Sequence, residues 1–463
     1  MPTDVWPQPI LDLLAAGGDR PVFEDGPRVV GAGELLVLVR RAAAGLRAAG
    51  IGPGAGVAVL AGVSAEAFAA TIAAFAVGAR VSGIRPGLPP EQLADLLSRD
   101  HAVLIGPDEL DGLLAAPDEP LVAAGRPDDI ARIIYTSGST GRPKGCVQTY
   151  AAMSAAWAPY PDRWPPAIRE LAGRLDRYLV FGSLSSQVML EYGILTLAAG
   201  GTLVAAHAPA FPDSLVRHRA TASVITVGKL HRLVRDQQEH PVDLSNLGAL
   251  MVSGSPLEPG RLREALEVLG PVVFHGYGQT ETGMIAMSTP DSASSEAALS
   301  SVGRPPAVVD VSIRDGELYV RTPSQASGYW HEPEESAEVF VDGWVRTRDL
   351  ASLGDDGLLR LLGRVRDVII VNAELLYAGP IERALATDPD VAEAYVVGRP
   401  DEDTGEAIHA YVVPVNGRTP DTGTLRKLVG ERLGPNAVPR TVTLIDRVPV
   451  APSGKPDKTQ LTP

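Results

Sequence analysis

The sequence predicts an α/β protein. A large N-terminal region of parallel sheets flanked by helices is closed by a β subdomain and followed by a small C-terminal α+β domain. Three observations predict this. The chain has 463 residues, more than one ordinary hydrophobic core organises. Across residues 33–105, apolar residues at helical spacing alternate with short apolar runs, the pattern of a parallel sheet covered by helices. From about residue 301 the alternation gives way to short strands separated by Gly and Asp, residues that favour turns.

Taken in order, residues 33–49 carry Leu35, Leu36, Val39, Ala42 and Leu46 at helical spacing, which makes one apolar stripe. Residues 56–60 read as a short buried strand, 65–78 as a helix, 80–83 as extended, 90–99 as a helix and 101–105 as a strand. The pattern resumes after residue 150, with candidate strands at 177–184, 201–206, 222–227, 248–253 and 271–276. Residues 308–314, 317–321, 344–346 and 358–363 form the β unit that closes the large region, residues 1–363. Residues 364–463 then read helix (380–386), strand (392–397), strand (407–414), helix (422–433) and strand (441–445), enough for an independent small domain.

Hydrophobic residues make up 45% and charged residues 21%, a globular balance. The net charge is −15 with no Lys/Arg block, which argues against nucleic acid as a partner, since that needs a basic face. A local basic site can still hold a nucleotide. One cysteine, Cys146, excludes an intrachain disulfide framework. No apolar run reaches the roughly 18 residues of a membrane span, and residues 1–10 lack the basic and apolar regions of a secretory signal. The expectation is a cytoplasmic protein without a membrane span.

The strongest chemical signal is Tyr135-Thr136-Ser137-Gly138-Ser139-Thr140-Gly141-Arg142-Pro143-Lys144-Gly145, directly after the apolar run 131–134. Its glycines let backbone N–H groups wrap an anion, its hydroxyls add donors and Lys144 adds charge. It departs from the Walker pattern, because Gly145 follows the lysine. A Gly/Ser-rich surface turn is the bland alternative, and the length of the match weighs against it.

The segment resembles the signature loop of the adenylate-forming superfamily, which includes acyl- and aryl-CoA synthetases, nonribosomal peptide synthetase adenylation domains and luciferase. The family's other motifs follow in order over nearly the whole chain. Gly276-Tyr277-Gly278-Gln279-Thr280-Glu281 is similar to its Tyr-Gly-x-Thr-Glu. The resemblance implies that Tyr277 stacks on adenine, Thr280 touches the α-phosphate and Glu281 holds Mg²⁺, a hard cation that suits a carboxylate bound jointly with phosphates. Gly254 and Ser255 sit where the family has a Gly-rich turn against the adenine. Trp344-Val345-Arg346-Thr347-Arg348-Asp349 resembles Trp-x-x-Thr-Gly-Asp, with Arg348 in place of glycine, and assigns Asp349 to the ribose hydroxyls. In Gly363-Arg364-Val365-Arg366-Asp367 the resemblance places Arg364 on ribose and Arg366 at a hinge near 364–367, so residues 364–463 are implied to be mobile. In Pro452-Ser453-Gly454-Lys455 it makes Lys455 the adenylation lysine, an ammonium that bridges two anions as they react.

The resemblance implies ATP, Mg²⁺ and CoA. A small-molecule carboxylic acid is joined to AMP, and the acyl group then passes to CoA or to a carrier protein. Two departures bear on that second step. Ile369-Ile370-Val371-Asn372-Ala373 stands where the family reads Ile-Lys-x-x-Gly, and Tyr150 stands near the position of a family histidine. A nitrogen acceptor is therefore a second reading, by amide formation or by activation of nitrite. A nucleotide sensor on a decayed scaffold is a third, weakened by the presence of Glu281 and Lys455. Cys146 reads as small packing beside the loop. The acid pocket is assigned to Ser185, Ser186 and Gln187 with Val227 and Gly228. This polar set favours an aryl or polar-substituted acid over a long fatty acid, although small side chains also suit a deep apolar tunnel.

Overall fold

The computed structural model describes residues 5–60, 62–84, 88–136, 144–184, 186–254, 257–293, 295–372, 374–449 and 456–461. Besides its β unit, the large region contains two sheets. In the first, the strands lie in the order Gly283–Ser288, Val273–Gln279, Ala249–Ser253, Ala222–Thr226, Arg177–Val180, Thr202–Ala205, Pro21–Asp25 and Arg28–Gly31. Its inner strands run parallel, and its two edges close with antiparallel pairs. In the second, the order is Gly328–Tyr329, Lys144–Thr149, Ile130–Thr136, Arg80–Gly83, Gly56–Val59 and Ala102–Ile105. Its parallel strands explain why 56–59 reads as an unbroken apolar run: every residue of Gly56–Val59 is buried, as expected when both faces are covered.

One hydrophobic cluster joins the two sheets. Val57 and Val81 from the second and Tyr178 and Leu203 from the first meet Leu35, Leu46, Phe68 and Phe75 from helices Ala32–Ala48 and Ala65–Ala76. Helix Ala65–Ala76 is buried on all sides, which its many alanines permit, since they let neighbouring elements approach closely. The Ser64 side chain caps it by accepting from the Ala67 amide at 3.1 Å, satisfying one of the unpaired N–H groups of the first turn. This shared core sets the sheets side by side and so positions the loops at their strand ends.

The β unit pairs Asp310–Arg314, Glu317–Arg321, Trp344–Leu353 and Phe340–Val341, with Leu359–Arg364 on the other side of Trp344–Leu353. The C-terminal sheet orders Glu374–Tyr377, Val368–Val371, Gly405–Pro414 and Val391–Asp401, with Thr441–Leu444 beside Gly405–Pro414. Helices Ala378–Leu385 and Thr422–Leu433 cover it with a core of their own, including Ile381, Leu385, Val396, Ile408 and Leu425. The chain leaves one sheet at Arg364 and enters the next at Val368. The elements expected from sequence are present. Elements not named from sequence include the strands Lys144–Thr149, Gly283–Ser288, Val368–Val371 and Glu374–Tyr377, the hairpin Pro21–Asp25 and Arg28–Gly31, and the helices Gln8–Gly17, Gln187–Ala198, Val227–Glu239 and Pro259–Leu269.

Candidate active site

The strands on either side of the Gly/Ser-rich segment, Ile130–Thr136 and Lys144–Thr149, pair antiparallel. Thr136 pairs with Lys144, Tyr135 with Gly145 and Ile134 with Cys146. Ser137, Gly138, Ser139, Thr140 and Gly141 lie outside the described residues, as does the side chain of Thr136. Lys144 is therefore the first residue of a strand. Its ammonium lies 2.8 Å from Glu335 Oε1 and 5.8 Å from the Tyr329 ring centre. Glu335 also receives Arg348 Nη1 at 3.0 Å, and Arg348 reaches Glu338 at 2.9 Å. The Lys144 hydrogen bond and the Arg348 charge hold the Glu335 carboxyl below its ordinary range, against an opposing effect of burial.

Arg348 has φ +59°, the left-handed region that favours glycine. This explains the glycine of the resembled motif. The arginine keeps the same turn and gains two carboxylate partners.

The next residue, Asp349, is the centre of a second network. Its side chain is 6% exposed. Oδ2 accepts from Tyr277 Oη at 2.7 Å and from Gln279 Nε2 at 2.7 Å, and Arg364 Nε lies 3.0 Å from Oδ1. Gln279 Nε2 also donates to the Thr347 carbonyl at 2.9 Å. Tyr277, Asp349 and Arg364, picked from three separate motifs, thus converge on one carboxylate. Gln279 was missed, although it lies within the Tyr277 motif, two residues along the strand and so on the same face as Tyr277. A carboxylate offers about four lone-pair positions, so one position on Oδ1 remains for a ribose hydroxyl. The Tyr277 ring packs against Ile285, Ala286, Val320 and Leu359.

Thr280 and Glu281 form the turn between Val273–Gln279 and Gly283–Ser288. The turn requires glycine at 278, where a Cβ would lie 2.2 Å from the Gly283 carbonyl oxygen. Glu281 Oε1 accepts from Tyr329 Oη at 2.6 Å, and its other oxygen has no partner among the described residues. No group of three or more His, Cys, Asp and Glu gathers to hold a metal among the described residues. One free carboxylate oxygen suits Mg²⁺, which keeps several waters and shares phosphate oxygens.

Cys146 is buried beside this turn, and burial and the Glu281 charge push its thiol up, which makes it a packing residue and a poor nucleophile. Tyr150 is also in the core, with Oη 2.9 and 2.7 Å from the Phe75 and Ala79 carbonyls. It does not face the site.

Gly254, with φ +93°, ends strand Ala249–Ser253; Ser255 lies outside the described residues. Of the acid-pocket residues, Ser186 is exposed and precedes helix Gln187–Ala198, Gln187 is half-buried, and Ser185 lies outside the described residues. Val227 packs into a separate core with Leu179, Ile225 and Leu230. A Cβ on Gly228 would meet Glu393 Oε1 of the C-terminal domain at 3.3 Å. These two thus belong to a core and a domain contact. Arg366 lies in the turn Val365–Asp367, with its side chain outside the description, and Lys455 is outside the described residues.

Residues 14–330 match the model of the AMP-binding enzymes, and residues 380–455 match that of the AMP-binding enzyme C-terminal domain. The chain belongs to the AMP-binding enzymes. It is 32% identical to a medium/long-chain-fatty-acid–CoA ligase, FadD8, of Mycobacterium tuberculosis, over 73% of this chain and 62% of the relative. It is also 32% identical to feruloyl-CoA synthase of an Amycolatopsis species, over 91% of each chain. Among solved structures, it superposes on the amide bond synthetase McbA of Marinactinospora thermotolerans with a TM-score of 0.87, at 32% identity, covering 99% of each chain. No helix among the described residues is long and apolar enough to cross a membrane.

Proposed function

We propose that this enzyme activates a carboxylic acid with ATP and passes the acyl group to a thiol, that of CoA. The convergence of Tyr277, Gln279 and Arg364 on the buried Asp349 carries the reading. It supplies a fixed acceptor for ribose hydroxyls beside a strand whose following turn presents Thr280 and Glu281 to the phosphates. The CoA ligases among the relatives support the acyl chemistry.

In the first step, an oxygen of the acid attacks the α-phosphorus and the bond to pyrophosphate breaks, giving acyl-AMP. This is largely positioning and electrostatics. The backbone amides and hydroxyls of 136–141 would cradle the phosphates. Lys144 would exchange Glu335 for phosphate oxygens, leaving Arg348 to neutralise Glu335. Glu281 would hold Mg²⁺ through its free oxygen, and the ion would offset charge on the phosphates. Lys455 would bridge the carboxylate and the α-phosphate. In the second step, the thiol sulfur attacks the acyl carbon, AMP leaves and the thiol proton passes to solvent. No protein nucleophile is required, in keeping with the buried state of Cys146. Residues 364–463 would turn about Arg366 between the steps. We place the enzyme in the cytoplasm.

An amine acceptor is the second reading. The likeness to an amide bond synthetase over the full chain, together with Ile370 and Ala373 in place of the family's lysine and glycine, favours it. Pyrophosphate release across benzoates, cinnamates, fatty acids, amino acids and nitrite, with CoA or an amine, separates the readings. An acyl-CoA identified by mass supports the first. Acid-dependent pyrophosphate release whose product is an amide, with no acyl-CoA, overturns it in favour of the second.

A further inference from the structure

Helix Gln187–Ala198 has two unlike faces over its first turns. Met189, Leu190, Gly193 and Ile194 are buried, whereas Gln187, Val188, Glu191 and Tyr192 are half-buried. The second set repeats at the spacing of one helical face, so it looks away from the core. Its destination is given by Tyr192, whose Oη lies 3.8 Å from the position a Cβ on Gly276 would take. Gly276 stands one residue before Tyr277, on the strand that leads to Thr280 and Glu281. The face therefore borders the space beside the nucleotide site.

Glu191, on this face, lies within electrostatic reach of a buried arginine. Arg132 is 8% exposed. Gln148 Oε1 fixes it, accepting from Nε at 3.1 Å and Nη2 at 2.5 Å, while Gln148 Nε2 donates to the Ser324 carbonyl at 2.8 Å. Arg132 and Glu191 feel each other's charge, yet no ion pair within 4.0 Å links them. Glu191 has neither a hydrogen bond nor an ion pair among the described residues. Burial pushes its carboxyl up to about 7 despite the attraction of Arg132, and burial lowers Arg132 to about 10. Polar groups withdrawn from water are ordinarily hydrogen-bonded, and Glu191 lies on the helix face that borders the nucleotide site.

We infer that Glu191 is a specificity residue of the acid pocket, accepting a hydrogen bond from an O–H or N–H group at the end of the substrate remote from its carboxylate. Arg132 acts on the same carboxyl by its charge. The favoured substrate class is a hydroxy- or amino-substituted aryl acid, ahead of its methyl counterpart. This rests on the carboxylate-activating reading and names the acid within it.

A site built to accept such a donor rejects an analogue that lacks it, because its own polar group is left unpaired. Pyrophosphate release with 4-hydroxy- and 4-aminocinnamate is compared with 4-methylcinnamate, and the matching benzoates are run in parallel. The wild-type enzyme should favour the donor-bearing acids in kcat/KM by on the order of 10–100-fold in at least one series. Glu191→Leu should bring the ratio near one and raise activity on the methyl acid. Glu191→Gln, which keeps the shape and an acceptor oxygen, should retain most of the preference and checks that the fold tolerates change there. Release without donor preference in the wild type, or a preference that survives Glu191→Leu, overturns the assignment alone. Absence of release with every acid overturns the ligase reading and this assignment with it.

Discussion

At the scale of single residues, the site depends on how each carboxylate is occupied. Asp349 has three of its about four acceptor positions taken by Tyr277, Gln279 and Arg364 while 6% exposed. Asp349→Asn would replace one acceptor oxygen by an NH₂ group facing at least one of these donors. A buried donor without a partner costs about 1–3 kcal/mol, so denaturant unfolding should show a loss of about that size, with weaker ATP binding by calorimetry. Arg348 is the opposite case. Its left-handed backbone costs about 1–3 kcal/mol for a non-glycine residue, and its half-exposed ion pairs return about 0–1 kcal/mol each. Arg348→Gly should therefore leave stability within about 1 kcal/mol. It should raise the KM for ATP, because Glu335, relieved of one cation, then holds Lys144 more firmly. An unchanged KM would show that Lys144 does not leave Glu335 for the phosphates.

At the scale of elements, legibility followed the range of the interactions. Strand 56–59 was readable because a parallel strand buried on both faces is a continuous short apolar run, and 102–105 because it is apolar throughout, although it lies at the sheet edge with Val103 exposed. The strand Lys144–Thr149 was not, because its pairing with Ile130–Thr136 is hidden behind the intervening Gly/Ser-rich segment. The motif residues Tyr277, Asp349 and Arg364 were legible one at a time, each within its local pattern. Their convergence was not, nor was the Tyr329–Glu281 hydrogen bond across 48 residues, since neither side of that contact marks its neighbours in sequence. The same holds for Glu24 and Arg177, which meet across strand Thr202–Ala205 in a bidentate pair at 2.8 and 2.7 Å. The Arg177 hydrogen bond lowers the Glu24 carboxyl below 4.5, against the effect of burial. A carboxyl lowered on folding adds stability above its unfolded pKa and loses it as pH falls through the folded value. Glu24→Gln should thus cost about 1 kcal/mol at pH 7, with the difference fading below about pH 4.5, as urea midpoints of both proteins would record.

At the scale of the whole molecule, the boundary near Arg364 decides whether two half-reactions share one set of residues. Asp349 and Arg364 are register partners as well as an ion pair, so the chain is held to the large region up to Arg364. On the other side, Lys458 joins Asp367 at 3.2 Å and Glu382 at 2.7 Å, while Glu382 also accepts from the Val396 amide at 2.8 Å. Asp367 and the segment around Lys458 are thus tied into the C-terminal sheet and its helix, and Lys455 lies only three positions before Lys458 in sequence. Any rotation between these two anchored bodies must be absorbed at Val365 and Arg366, by changes in backbone dihedrals. Proline locks φ near −65° and removes the N–H. Arg366→Pro should slow acyl transfer from preformed acyl-AMP far more than it slows pyrophosphate release. Lys455→Ala should do the reverse, cutting pyrophosphate release by roughly 10²–10³, the scale for losing one transition-state charge contact, while sparing transfer. Opposite selectivity in the two variants requires that the enzyme present different faces of residues 364–463 in turn. Equal losses in both steps for either variant would mean that one arrangement serves both reactions and that the turn at 365–367 is only a linker.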